Sequence, residues 1–319
     1  MIGSLLDTFL DRTVVAGYSS IGYRIRSRDW EATELRRLDG KVAVISGATS
    51  GIGLAAADGL ARLGASVRLL ARSEERGERA RAAIATRTKN SDVRVNVCDL
   101  SMLESVRQCA AMIVDQEHQI DVLVNNAGVL PPERTLSVDG IELAFATNVL
   151  GPFLLTNLLI PALACGGAAR VINVSSGGMY TQRIHVEDLQ MTHEPFDGVV
   201  AYARAKRAEV ILTELWAERL KGSGIVVHAM HPGWADTPGV QTSLPRFYRL
   251  TQPLLRTPEQ AADTIVWLAA APEGGASSGR FWHDRRQRPT HVRPGTKETD
   301  EDRERLWTQC AELSGWRGC

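Results

Sequence analysis

The chain has no C-x-x-C pair, no net charge, no secretory leader pattern and no internal repeat or low-complexity tract. Its five cysteines (Cys98, Cys109, Cys165, Cys310 and Cys319) are odd in number and widely spaced, which argues against a disulfide framework or a zinc site and fits a reducing, cytoplasmic setting. Lysine plus arginine and aspartate plus glutamate each total 37, so no overall positive field calls for nucleic acid. His185, His193, His228, His231, His283 and His291 lack metal-ligand spacing, and no metal is expected. The N-terminus lacks the basic start and long apolar centre of a signal peptide. What is present is 319 residues with 44% apolar content, enough for one α/β domain of about 250 residues plus extensions.

Seven short apolar runs alternate with helical segments, at 41–46, 66–71, 93–97, 120–125, 169–175, 225–230 and 279–282. This alternation predicts a mostly parallel, doubly wound sheet of the Rossmann type, with helices on both faces. The first run leads into SGATSGIG (46–53), a glycine turn set between a strand and a helix. Glycine lets backbone N–H groups approach a pyrophosphate, and a helix N-terminus favours the anion. After the second strand, a dinucleotide fold that takes NAD(H) usually places an acid to hold the ribose hydroxyls. Here the sequence reads Ala71-Arg72-Ser73, and an arginine suits a 2′-phosphate. NADP(H) is therefore the expected cofactor. Arg68, on the same strand, points to the other face.

In YARAK (202–206), Tyr202 and Lys206 stand four apart on one helix face, 26 residues after the Ser175-Ser176 pair. An ammonium beside a phenol makes the phenol a usable proton donor or acceptor, and a serine hydroxyl can hold a carbonyl oxygen within its reach. This is equipment for moving a proton at an oxygen while a hydride moves elsewhere.

SGATSGIG, CDL (98–100), NNAG (125–128), Asn148 in NVLG, VSS (174–176), YARAK and HPGWADT (231–237) occur in an order that resembles the short-chain dehydrogenase/reductase family over about residues 40–284. The second half, with VSSGGM, TELWAE and MHPGWADTPGV, is similar to one subgroup of it. The resemblance implies a catalytic set of Asn148, Ser176, Tyr202 and Lys206, with Tyr202 as acid/base and Ser175 the lesser serine. It implies a cofactor site of Gly47, Ser50, Gly51, Ile52, Gly53, Asp99, Leu100, Asn126, Gly128, Tyr202, Lys206, Pro232, Gly233 and Thr237, to which Arg72 is added. The implied activity is NADP(H)-dependent interconversion of an alcohol and a carbonyl. A non-catalytic NADP(H)-binding regulator of the same fold is the alternative. Ser46 stands where threonine is usual, and the gap between Ser176 and Tyr202 is long for the family.

The expected division is an N-terminal amphipathic helical extension (1–38), the dinucleotide domain (39–284) with substrate loops at 177–200 and 237–256, and a C-terminal tail with a short helix (285–319). Leu5, Leu6, Phe9, Leu10, Val14, Val15, Tyr18, Ile21 and Ile25 recur at helical spacing but are interrupted by charge, so the extension is read as packing on the domain or a partner protomer, or lying on a membrane surface. Met179, Tyr180 and Phe196, with Leu244, Phe247, Tyr248 and Leu250, are expected over the substrate cleft and lean toward a lipophilic alcohol or carbonyl. Helices near 141–163 and 200–221 are candidates for homodimer pairing unless the N-terminal extension covers them. The tail mixes charge signs and reads as a solvated segment followed by a short helix.

Overall fold

The computed structural model describes Asp7, Leu10, residues 13–30 and residues 35–318. Leu5, Leu6, Phe9 and Cys319 fall outside these described residues. The strands are β1 (Val42–Ser46), β2 (Ser66–Ala71), β3 (Val93–Val97), β4 (Val122–Asn125), β5 (Ala169–Val174), β6 (Ile225–Met230), β7 (Arg280–His283) and β8 (Arg286–Arg288). They form one sheet in the order β3-β2-β1-β4-β5-β6-β7-β8. The first seven are parallel, and β8 pairs antiparallel to β7. All seven expected strands are present. The eighth was missed because three residues reading Arg-Gln-Arg carry no apolar signal. It is joined to β7 by Asp284 and Arg285, both at positive φ (52° and 57°), the geometry of a tight hairpin turn.

The central strands are buried on both faces, as their continuous apolar runs require. One face carries helices Leu103–Gln116, Gly151–Cys165 and Gly198–Arg219 over a core that includes Leu123, Val171 and Val227. The other carries Gly51–Arg62, Glu74–Thr88 and Pro258–Ala270 over Ile45, Val67 and Val124. The segment Leu143–Cys165 is long and apolar enough to cross a membrane, but 83% of its apolar window is buried in this core. Just before Gly151–Cys165 the chain makes a π-helical turn, Ala146–Leu150, which seats Asn148 fully buried.

The helix expected at the end of the tail is present as Asp300–Ser314, longer and more buried than a short tail helix implies. Leu306 and Cys310 are fully buried, and Trp307 and Trp316 pack edge-on against Phe153. An apolar stripe at i and i+4 was hidden among charges. This helix lies against both Gly151–Cys165 and Gly198–Arg219, the two helices considered for dimer pairing. Cys98, Cys109, Cys165 and Cys310 are free thiols.

The N-terminal segment is two short helices, Val14–Tyr18 and Ser20–Arg26, broken at Ser19, whose hydroxyl caps the second. Arg26 is buried and reaches Asp284 (2.8 Å), Asp7 (2.9 Å) and the carbonyl of Gly17 (3.0 Å). Asp284 also accepts from Arg256 at 2.6 and 2.9 Å. Arg288 meets Asp7 at 2.9 and 3.0 Å. A buried ionic cluster thus ties the first helices to the β7–β8 hairpin and to the segment that follows the 238–251 helices. Burial alone would push the Asp284 carboxyl up, but His283, Arg256 and Arg26 hold it far below the usual carboxylate range.

Candidate active site

A cavity of about 1230 Å³ opens along the carboxyl ends of the strands, where an open parallel sheet places its ligand crevice. It is lined at one end by the glycine turn and Arg72, and at the other by Ser176, Tyr202 and Lys206.

The turn is built for close approach. Gly47 has φ 65°, and a Cβ there would lie 2.8 Å from Ala127 Cα. A Cβ on Gly53 would meet the Gly47 carbonyl oxygen at 2.4 Å. Ser50 is the N-cap of Gly51–Arg62, so the first helical N–H groups open onto the cavity, and Ile52 lines it. Ser46 Oγ accepts from the backbone N–H of Asn126 (3.0 Å) and Ala127 (3.1 Å), so the serine in place of threonine keeps the latch between β1 and β4. The Asn126 amide donates to Ser46 O at 3.0 Å. These features fit a dinucleotide pyrophosphate: a cradle that a Cβ would fill, at a helix N-terminus.

Arg72 is exposed at the end of β2 and lines the cavity. Arg76, which was not singled out from sequence, lines it beside Arg72 and Ser73. Arg68 faces away, as expected, and pairs with Glu117 and Asp92. Asp99 lines the cavity, but its carboxylate is turned onto Ser101 N (2.9 Å) and Oγ (2.7 Å), with Leu100 buried beside it. Pro232, Gly233 and Thr237 line the far wall, and Thr237 caps the helix Pro238–Ser243.

Tyr202 and Lys206 project from Gly198–Arg219, with Lys206 Nζ 5.5 Å from the Tyr202 ring centroid. Ser175 and Ser176 both line the cavity but differ in their bonds and burial. Ser175 is buried and donates to Lys206 O (2.8 Å), a bond that fixes the helix to β5. Ser176 is half-buried, lines the cavity and caps the short helix Gly177–Thr181. Asn148 sits behind the cavity wall rather than on it. Its side chain exchanges hydrogen bonds with the backbone of Val129 at 2.8 and 2.9 Å, holding the strand end that carries Gly128.

Lys206 Nζ donates to Val174 O (3.0 Å) and to Glu209 Oε1 (2.6 Å). Burial presses the ammonium's pKa down, and Glu209 together with Tyr202 more than reverses this, leaving it above the usual lysine value. Burial likewise pushes the Glu209 carboxyl up to about 7, although Lys206 opposes the shift. Glu209 was missed from sequence. The signal was there, since it lies three residues after Lys206 on the same helix face.

The substrate wall differs from expectation. Met179 is buried against Phe281, and Tyr180 donates to Pro289 O (2.7 Å), so neither covers the cleft. Phe196 is half-buried and outside the cavity, and the segment 177–200 contributes Gly178, Thr181 and Val199 instead. Of the lid residues, Leu244 and Phe247 line the cavity, while Tyr248 turns to Gln241 and Leu250 is 83% exposed. Leu130, Leu143 and Trp234 add to the apolar wall, with Trp234 edge-on to Phe247 at 5.0 Å.

Behind this wall the N-terminal helices brace the site. Trp234 N donates to Tyr18 O (2.7 Å), and the Tyr18 ring lies edge-on to His231 at 4.3 Å. His231 Nδ1 accepts from Gly177 N (3.0 Å), next to Ser176. Burial holds the His231 pKa well below its ordinary value, which keeps that nitrogen an acceptor.

A sequence profile described as short chain dehydrogenase matches residues 41–246. The chain belongs to the short-chain dehydrogenase family. It is 42% identical to Dehydrogenase/reductase SDR family member 12 of Bos taurus over 277 residues, covering 86% of each chain. It is 36% identical to Retinol dehydrogenase 13 of Homo sapiens over 290 residues, covering 87% of this chain and 86% of the relative. The solved Pseudomonas aeruginosa RhlG/NADP active-site complex aligns with a TM-score of 0.62 at 26% identity, covering 81% of this chain and 97% of that one. This short-chain dehydrogenase is accordingly an oxidoreductase of CH–OH and C=O groups, in a family that uses NAD(P)(H).

Proposed function

We propose that this short-chain dehydrogenase interconverts a lipophilic alcohol and its carbonyl with NADP(H), using Tyr202 as the acid/base. The observation that carries the reading is the single cavity shared by Ser176, Tyr202 and Lys206 at one end and the glycine turn with Arg72 at the other. The glycine turn would hold the pyrophosphate and Lys206 the nicotinamide ribose. Asp99, Leu100, Asn126 and Gly128 would flank the adenine and the strand end, and Pro232, Gly233 and Thr237 would meet the carboxamide. When bound, the cofactor supplies or accepts the hydride. In reduction Tyr202 would give its proton to the substrate oxygen while Ser176 donates a hydrogen bond to that oxygen; in oxidation the same proton returns. Asn148 would act through the backbone of Val129.

Two guanidiniums at the β2 end, Arg72 and Arg76, support NADP(H) over NAD(H), in line with the NADP named for the RhlG complex. The wall of Leu130, Leu143, Trp234, Leu244 and Phe247 supports a lipophilic substrate, in line with the retinol dehydrogenase name of one relative. On this reading residues 39–284 form the catalytic unit, and the segments 1–38 and 285–319 brace it. Exposed Val14, Val15 and Ile21, with Arg24 and Arg28 nearby, support peripheral contact of a cytoplasmic protein with a membrane surface, testable by flotation with anionic liposomes.

The test is calorimetric titration with NADPH and NADH, then an NADPH-oxidation screen over lipophilic aldehydes and ketones with wild type and Tyr202→Phe. The expected result is preferential NADPH binding by both proteins and a loss of turnover of at least ~100-fold in the variant. Full carbonyl reduction by Tyr202→Phe would refute the assignment.

A further inference from the structure

We propose that Glu209 is the counter-ion that keeps Lys206 ionised and aimed into the cavity, a positioning residue that rests on the function proposed above. Tyr202, Lys206 and Glu209 form one stripe on the helix Gly198–Arg219, at i, i+4 and i+7. Glu209 Oε1 takes one ammonium hydrogen (2.6 Å) and Val174 O takes a second (3.0 Å). An ammonium has three donors. The third is left for the cavity, which Lys206 lines. Gly128 leaves that side open, since even a Cβ there would stand 3.5 Å from Nζ.

The pair is no solvated surface bridge. The two side chains are 3% and 9% exposed, and Glu209 Oε2 is buried without a protein partner. Buried ion pairs are a poor device for stability, because desolvation offsets their attraction and apolar residues of like volume do as well. A buried lysine without an anion sheds its proton. Here the geometry supplies the anion, and it comes from the same helix, so it moves with the lysine it serves.

The charged groups acting on the pair are few. Lys206 acts on Glu209, and Glu209 and Tyr202 act on Lys206. From the other packed elements, β5 and the turn after it present Val174 O and Ser175, and the π-helical turn presents Asn148, none of which titrates. Loss of the carboxylate charge therefore has no substitute among the described residues.

The chain has five lysines, Lys41, Lys89, Lys206, Lys221 and Lys297, few enough to resolve individually in protein labelled with lysine carrying carbon-13 at Cε. Lys206→Arg identifies the Lys206 resonance, and its titration is followed in wild type, Glu209→Gln and Glu209→Asp, each checked for folding by thermal melt. Glutamine keeps the shape and removes the charge, whereas aspartate keeps the charge and shortens the reach. The expected result is that Lys206 titrates at least ~1 unit lower in Glu209→Gln and is restored toward wild type in Glu209→Asp. In the same proteins the alkaline limit of NADPH-dependent carbonyl reduction should move down with the lysine. An unshifted Lys206 titration in Glu209→Gln, or an aspartate variant further from wild type than the glutamine one, would overturn the proposal. A shifted lysine in a protein that turns over no carbonyl would leave the counter-ion in place and remove the function it was proposed to serve.

Discussion

Asp284→Asn is the sharpest test of how the N-terminal helices are held. The substitution preserves shape, and Asn tolerates the positive φ of 52° at this turn as well as Asp does, so no backbone penalty is expected. What changes is the anion between Arg26 and Arg256, whose carboxylate accepts three hydrogen bonds of 2.6–2.9 Å in a group only 1% exposed. An amide offers one oxygen and turns an NH₂ toward a guanidinium. Removing one partner from a buried charge cluster costs about 3–5 kcal/mol. For 319 residues at roughly 2.1 cal/mol/K each, the unfolding entropy is about 0.7 kcal/mol/K, so the melting temperature should fall by ~4–8 °C. Because the Asp284 pKa is held far below its unfolded value, the stability it contributes is present above about pH 4 and is lost only as pH falls through the folded value. The gap between variant and wild type should therefore stay constant from pH 5 to 8 in calorimetric scans. NADPH affinity should fall too, since Arg256 also donates to Pro232 O at 3.2 Å and packs against Gly233. A melting temperature within ~1 °C of wild type would refute the claim that this cluster secures the N-terminal segment.

Three further outcomes are expected. Arg72→Asp should reverse the preference between NADPH and NADH through repulsion of the 2′-phosphate; an unchanged affinity ratio by calorimetry would remove Arg72 from the cofactor site. Leu306→Ala should destabilise the fold by about 2–5 kcal/mol in urea unfolding, because the side chain is fully buried beneath the aromatic cluster; a surface-like change below ~0.5 kcal/mol would mean the last helix is dispensable. His228 is buried, and its Nδ1 accepts from Trp282 Nε1 (3.1 Å) and Arg280 N (3.3 Å), while burial lowers its pKa to about 4. Its contribution is therefore fully present above an unfolded value near 6.5 and is lost as pH falls toward 4, by about 3 kcal/mol. A His228→Gln variant should show a correspondingly flatter dependence of the urea midpoint between pH 7 and 4.5, and parallel slopes would exclude His228 as the cause.

The elements that were legible in the sequence are those with a local signal. Seven parallel strands read as apolar runs because both their faces are buried. SGATSGIG and YARAK read correctly as a glycine turn after a strand and a Tyr–Lys pair on a helix, and the fold brings them to one cavity. What did not read locally depended on partners far along the chain. Met179 and Tyr180 have the composition of a lid but find Phe281 and Pro289 beneath them. Leu306 and Trp307 sit among charges yet face Phe153 and Trp216. Glu209 lies three residues after Lys206, a spacing visible in the sequence, but its burial comes only from the packing of other elements around that helix. The π-helical turn at Ala146–Leu150 had no sequence mark at all.

The clasp between Arg26 and Asp284 spans 258 positions of the chain. During synthesis at about 5–20 residues per second, the first helices would emerge roughly 13–50 s before the hairpin that holds them exists. Until then Arg26 lacks its Asp284 partner, although Tyr18 can already meet His231 and Trp234. The cluster that braces the cavity therefore closes only once two residues far apart in the chain, Arg26 and Asp284, are both present.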